Sequence, residues 1–190
     1  MTEPEPPLVL VRHGATEWSK ASRHTGLTDI PLLPEGREQA QALASRLDPD
    51  DYERALCSPL LRARETCELS GFGEQMEILE DLHEWDYGDY EGLTTVEIHA
   101  RDPDWNMWRD GCPGGESPAD VAARADNVLA HLAGTHAIVF AHGHFLRVFA
   151  ARWLGLGPQA GALFALLPAA ISQLGHEHEL RVIERWNVGA

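Results

Sequence analysis

Lysine is all but missing from this chain: Lys20 stands alone beside fourteen arginines, while Asp and Glu number 30, for a formal net charge of −15. Binding along a nucleic-acid backbone needs a broad basic face, so this balance argues against that class and leaves any phosphate site to be local and built from arginine. Cysteine is scarce too. Cys57, Cys67 and Cys112 are odd in number and form no Cys-x-x-Cys, which reads as reduced thiols of an intracellular protein, not a disulfide framework. No apolar run, Leu163 to Ala170 included, approaches the roughly 20 residues that span a bilayer. An export signal would open with positive charge and a long apolar run; Met1 to Pro7 (MTEPEPP) is acidic and proline-rich. A cytoplasmic location is therefore expected, with residues 1–7 as a flexible tail. What is present is ordinary: 190 residues, 44% hydrophobic and 24% charged. At roughly 150 residues per domain this is one domain, large enough to bury roughly 70% of its unfolded surface without a staple.

Leu8 to Val11 and Ala137 to Ala141 are continuous aliphatic runs of the kind buried on both faces of a parallel sheet. Arg54 to Cys57 is a weaker strand, closed by Ser58-Pro59, where a helix can open. Helical spacing of alanine and leucine marks Glu35 to Arg46 and Ser117 to His131, and a further helix is expected over Phe145 to Leu154. Later strands are expected near Ala162 to Leu167, Ser172 to Gly175 and Arg181 to Trp186. Strands alternating with helices imply a three-layer α/β/α sandwich on a mostly parallel central sheet. Between them, residues 82–115 are rich in Trp, Asp and Gly, with one short helix over Thr94 to Arg101; a segment of that length is the natural active-site cover.

Two of the best strands deliver histidine to one edge of the sheet. Arg12-His13-Gly14 ends the first, and His142-Gly143-His144 follows the strand ending at Ala141; ligands of open parallel sheets bind outside the carboxyl ends of their strands. Arg62 lies in the opening turn of the helix after Ser58-Pro59, where a guanidinium adds to free backbone amides as an oxyanion site.

The runs LVLVRHGATEWSKASRHTGLTDIPLLPEGREQA, CSPLLRARET, EWDYGDYEG and FAHGH, in that order, resemble the histidine phosphatase superfamily, with its phosphoglycerate mutase-like fold. WSKASRHTGLTDIPL, WNMWRDGCPGGES and FAHGHFLRVFAARWLGLGP are most similar to the branch with yeast-type sedoheptulose-1,7-bisphosphatase and mycobacterial acid phosphatase. The resemblance implies His13 as nucleophile, forming a phosphohistidine, with Arg12, Arg62 and His142 around the transferring phosphoryl group. It implies Glu84 as proton donor to the leaving group, with Asp86 as the fallback. Seven acids and no Lys or Arg between residues 77 and 91 suggest that like-charge repulsion helps keep one carboxyl protonated. Thr16, Ser19, Lys20, Thr25 and Gly26, in the loop after the nucleophile, together with Arg109 and Gly143, are the substrate-binding candidates. Ser19 replaces the asparagine common in the family's mutases.

The leading expectation is a metal-independent phosphatase, needing no cofactor, acting on a small phosphorylated metabolite such as a sugar phosphate or bisphosphate. A phosphoglycerate mutase and a non-catalytic phosphate-binding module are the alternatives. A metal hydrolase using His13, His142 and His144 would lose activity with chelator, whereas a histidine phosphatase is indifferent to it. His176-Glu177-His178, in an expected hairpin, lacks a third ligand for a metal. The apolar residues around Leu154 to Leu167 are a candidate homodimer surface.

Overall fold

The computed structural model describes residues 5–189. The first four residues of the expected tail lie outside it, and Glu5 is paired with Arg181 at 2.8 Å. Six strands form one sheet: β1 (Leu8–Arg12), β2 (Arg54–Cys57), β3 (Met76–Ile78), β4 (Ala137–Ala141), β5 (Ile171–Glu177) and β6 (Leu180–Val188). They lie in the order β3-β2-β4-β1-β5-β6. The first four strands in that order pair in parallel, and β5 and β6 add an antiparallel hairpin beyond β1.

The helices are α1 (Glu17–Lys20), α2 (Pro34–Leu43), α3 (Leu61–Cys67), α4 (Thr95–His99), α5 (Met107–Asp110), α6 (Pro118–His131) and α7 (Gly143–Trp153). Side chains alternate across a strand, so the apolar runs in β1, β2 and β4 supply two cores at once. Leu8, Leu10, Leu56 and Val139 meet Val121 and Val128 of α6 and Phe145 and Phe149 of α7 on one face. Val9, Val11, Ala55, Ile138 and Phe140 meet Leu43 of α2 and Ala63 and Cys67 of α3 on the other. This is the expected three-layer sandwich. Ser117 closes a capping box with Asp120 at the start of α6, an arrangement worth about 1 kcal/mol.

One expected strand does not form. Residues 162–167 lie in a 3-10 turn (Pro158–Leu163) and a following loop. Leu163 and Leu167 face solvent at 81% and 60% exposure while Leu166 is buried, so the apolar content of this run reflects a loop laid over α7 and not a sheet partner. The short β3, with only its first residue partly buried, carried no apolar pattern to announce it. No helix among the described residues is long and apolar enough to cross a membrane.

Candidate active site

Strands β1 and β4 are paired with Arg12 opposite Ala141. The residues after their ends, His13 and His142, therefore emerge side by side, and their ring centroids are 5.2 Å apart. The turn behind His13 is unusually close to α2. A Cβ on Gly14 would lie 2.3 Å from the Gly36 carbonyl oxygen, and one on Gly36 would lie 2.1 Å from that of Ala15, so glycine is required here by backbone approach.

Hydrogen bonds fix the protons on both rings. His13 Nδ1 donates to its neighbour's carbonyl, Gly14 O, at 2.7 Å, which leaves Nε2 as a lone pair on a residue that lines the cleft. Burial, then the Arg62 and Arg12 guanidiniums, hold His13 well below the ordinary histidine range; the ring is neutral at pH 7. His142 Nε2 meets Ser58 Oγ at 2.7 Å. Ser58 Oγ also accepts from the Leu60 amide at 3.3 Å, and its own proton has no other acceptor among the described residues, so it donates to Nε2 and the His142 proton sits on Nδ1. Burial, then Arg62 and His13, keep this ring neutral also.

Among the described residues, four buried side-chain nitrogens lack a protein partner: Arg12 Nε, Arg62 Nε, His142 Nδ1 and His176 Nδ1. Three of the four belong to the group around His13. Buried donors without acceptors are rare in folded proteins, and three of them near one imidazole suit an anion. Both arginines are held from behind by backbone. Arg12 Nη1 donates to Leu166 O at 2.5 Å, and Arg62 to Thr28 O, Thr25 O and Gly26 O at 3.1, 3.1 and 2.8 Å. Gly143 lets Arg12 lie close: an added Cβ would be 3.2 Å from its Cζ.

Glu84 comes from the long segment 82–115 and is 5% exposed. Its Oε1 accepts from the amides of Trp85 (2.9 Å) and Phe145 (2.8 Å), and Oε2 from that of His144 (3.0 Å). It thus caps the start of α7, whose own N-cap residue, His142, makes no such bond. The expected acidic surroundings are not what it meets. Glu77 pairs with Arg54, Glu91 accepts from Gly26 and Thr28 amides, and Asp86 accepts from Gly88. Glu84 instead interacts with Arg12, Arg62 and Arg147.

The cleft, about 260 Å3, is lined by Arg12, His13, Glu84 and Gly143 and, away from them, by Ser19, Arg23, His24, Thr25, Tyr87, His144, Arg147 and Leu166. Of the sequence candidates, Ser19, Thr25 and Gly143 lie in it. Thr16 is buried and forms the α1 capping box with Ser19. Gly26 spends its amide on Glu91 and its carbonyl on Arg62. Lys20 pairs with Glu35 at 3.0 Å on the surface, and Arg109 with Asp110 at 2.6 Å; neither lines the cleft. Trp85 and Trp105 are buried supports, their indoles donating to Glu116 O and Gly111 O.

Tyr87 and Arg147 carried no signal of their own in the sequence, and His144 figured only in the metal-hydrolase alternative. Tyr87 Oη meets His144 Nδ1 at 2.5 Å. Burial, then Glu84, pushes the phenol well above its usual range, so the hydroxyl remains a donor, and the His144 proton is on Nε2.

With this geometry in view, comparison with known proteins gives a consistent result. The model of the histidine phosphatase superfamily (branch 1) matches residues 8–189. An acid phosphatase of Mycobacterium tuberculosis is 42% identical over 181 residues, covering 92% of this chain and 88% of the relative. A sedoheptulose 1,7-bisphosphatase of Saccharomyces cerevisiae is 38% identical, covering 81% of this chain and 69% of its own. Among solved structures, the product of a functionally characterised open reading frame of Mycobacterium tuberculosis superposes with a TM-score of 0.91 at 38% identity, over 97% of this chain and 98% of that one. A mycobacterial glucosyl-3-phosphoglycerate phosphatase in complex with VO3 gives 0.86 at 30% identity, over 97% and 100%. The match runs from the first strand of the sheet to the end of the last, and the chain belongs to the histidine phosphatase superfamily.

Proposed function

We propose that this phosphoric monoester hydrolase works through a phosphohistidine on His13 and that its substrates are small sugar phosphates or bisphosphates. The observation that carries the mechanism is the neutral His13 ring with Nδ1–H committed to Gly14 O, set among three buried donors that lack acceptors. Nε2 attacks phosphorus as the ester P–O bond breaks. The bond to Gly14 O stabilises the positive charge that the imidazole gains, while Arg12 Nε, Arg62 Nε and His142 Nδ1–H stabilise the equatorial oxygens. The departing alkoxide takes a proton from Glu84 Oε2, the oxygen with a single amide donor. In the second step Glu84 takes a proton from water, whose oxygen attacks phosphorus; the P–N bond breaks and His13 returns to its neutral form.

Sugar phosphates are supported by the 38% identical relative named for sedoheptulose 1,7-bisphosphate and by a cleft larger than one phosphoryl group needs. Rapid quenching with labelled substrate is expected to trap a base-stable, acid-labile phosphoenzyme that is absent from His13→Ala. Turnover by His13→Ala at the native rate would end this reading. Net interconversion of phosphoglycerates in place of phosphate release would move the chain to the mutases, of which a Methylobacterium radiotolerans example is 40% identical over 160 residues.

A further inference from the structure

We infer that the buried ion pair of Arg124 and Glu116 positions the proton donor: it fixes the backbone on both sides of Glu84 and so sets where that carboxyl stands. The inference rests on the proposed function for the role of Glu84. Residues 84–87 have no regular secondary structure, and a group carried on a loop is held less precisely than one carried on a helix or strand. Glu84 therefore needs support from outside its own segment.

Arg124 projects from α6, a 14-residue helix that buries Val121, Ala125 and Val128, and neither it nor Glu116 lines the cleft. A guanidinium has five N–H donors, and four of these are committed. Nε and Nη2 donate to the two Glu116 carboxylate oxygens at 2.7 and 2.8 Å, and Nη1 donates to Asp81 O at 2.7 Å and His83 O at 3.0 Å. Those two carbonyls precede Glu84. Glu116 holds the residues that follow it: Oε2 accepts from the Asp86 amide at 2.9 Å, the main-chain carbonyl accepts from the Trp85 indole at 3.0 Å, and the main-chain amide donates to Asp86 O at 2.9 Å. The same guanidinium lies 5.0 Å from the centre of the Phe145 ring, and the Phe145 amide is one of the donors to Glu84. One ion pair thus touches the chain before the donor, the chain after it, and the helix start that receives its carboxylate.

Stability alone does not call for this arrangement. The Arg124 and Glu116 side chains are 11% and 17% exposed, and an ion pair so withdrawn from water is often no better for folding than apolar residues of its volume. What it adds is direction, since hydrogen bonds fix peptide groups that no helix or strand fixes. A proton donor must stand within about 3 Å of the departing oxygen, and a displacement of roughly 1 Å can cost about 10²-fold in rate.

Two esters of nearly one shape test this: phenyl phosphate, whose leaving group needs a proton, and 4-nitrophenyl phosphate, whose leaving group needs it far less. Arg124→Lys keeps the charge opposite Glu116 but has too few donors for all four bonds. It is expected to lower kcat/KM for phenyl phosphate about 10- to 100-fold, the scale of lost orienting bonds, and to leave that for 4-nitrophenyl phosphate within about threefold. Glu116→Gln, which keeps the bulk and one acceptor oxygen, gives the same comparison should the lysine variant not fold. In a Glu84→Gln background neither change is expected to slow phenyl phosphate further, because both act through the carboxyl already removed. Equal slowing of the two esters, no slowing of either, or a full additional loss on top of Glu84→Gln overturns the inference. If Glu84→Gln is selective for phenyl phosphate but neither Arg124→Lys nor Glu116→Gln is, the inference falls alone; if Glu84→Gln itself slows both esters alike, the donor role in the proposed function falls and takes the inference with it.

Discussion

Acidification from pH 7.5 to 5.5 probes the neutral histidines directly. His13 is 4% exposed and His142 fully buried, and both are held well below the ordinary pKa, whereas in the unfolded chain each titrates near 6.5. A lowered folded-state value means that unfolding takes up protons in this window, so stability is fully present above about pH 6.5 and is lost as pH falls below it. One such group loses about 1.4 kcal/mol by pH 5.5, and the two together about 3 kcal/mol, with a further addition from His144, which is only partly exposed and also held well below the ordinary range by burial. Against a total of roughly 5–15 kcal/mol that is a large share, and ordinary carboxylates, titrating near 4, contribute little in this range. Urea unfolding at the two pH values is expected to show a fall in midpoint corresponding to this loss, on the order of 1–3 M. His142→Asn, which removes one titrating ring, should reduce the pH-dependent part by about 1.4 kcal/mol. A midpoint that does not move between pH 7.5 and 5.5, or a pH dependence unchanged in His142→Asn, would refute the assignment of buried neutral rings.

Three further outcomes are expected. Ser58→Ala frees His142 Nε2 from its hydroxyl partner, so the ring no longer holds its proton on Nδ1; kcat should drop about 10- to 100-fold, as for other lost orienting bonds, with KM little changed, and steady-state kinetics would show otherwise if Ser58 is only a packing residue. Gly36→Ala places a methyl 2.1 Å from Ala15 O and should cost at least about 1–3 kcal/mol in urea unfolding, whereas a change under about 0.5 kcal/mol would contradict the contact. Glu84→Gln should slow poor leaving groups far more than an activated aryl phosphate, which needs less protonation; equal slowing of both would count against Glu84 as donor.

Much of the His13 side of the cleft was legible in the sequence because strand ends carry their residues with them. The apolar runs of β1 and β4 are readable, and once they pair in parallel, His13 and His142 must be neighbours. The three-layer fold followed from the same runs. The opposite wall of the cleft was not readable in that way. Arg147 sits in FLRVFAARW as any exposed helical arginine might, and its stack on Trp108 and bonds to Gly161 and Ala162 depend on a loop that has no period of its own. That loop was expected to be a strand, because an apolar run does not say whether it faces a sheet or wraps a helix. Lys20 and Arg109 illustrate the converse. Charge and position recommended both, but each is neutralised by a nearby carboxylate, Glu35 and Asp110, which only three-dimensional proximity reveals. Glu84 lies beside the His13 cleft, yet its surroundings are cationic, since acids near it in sequence turn to other partners.

The junction of Gly14 with Gly36 has a bearing on how such a molecule can diversify. It welds the strand end that presents the imidazole to the neighbouring helix, main chain against main chain, with no side chain whose replacement could adjust the spacing. The opposite wall is assembled from exchangeable groups: a tyrosine, a histidine, an arginine leaning on an indole. That wall can therefore be repainted, residue by residue, while the strand end carrying His13 keeps its registration.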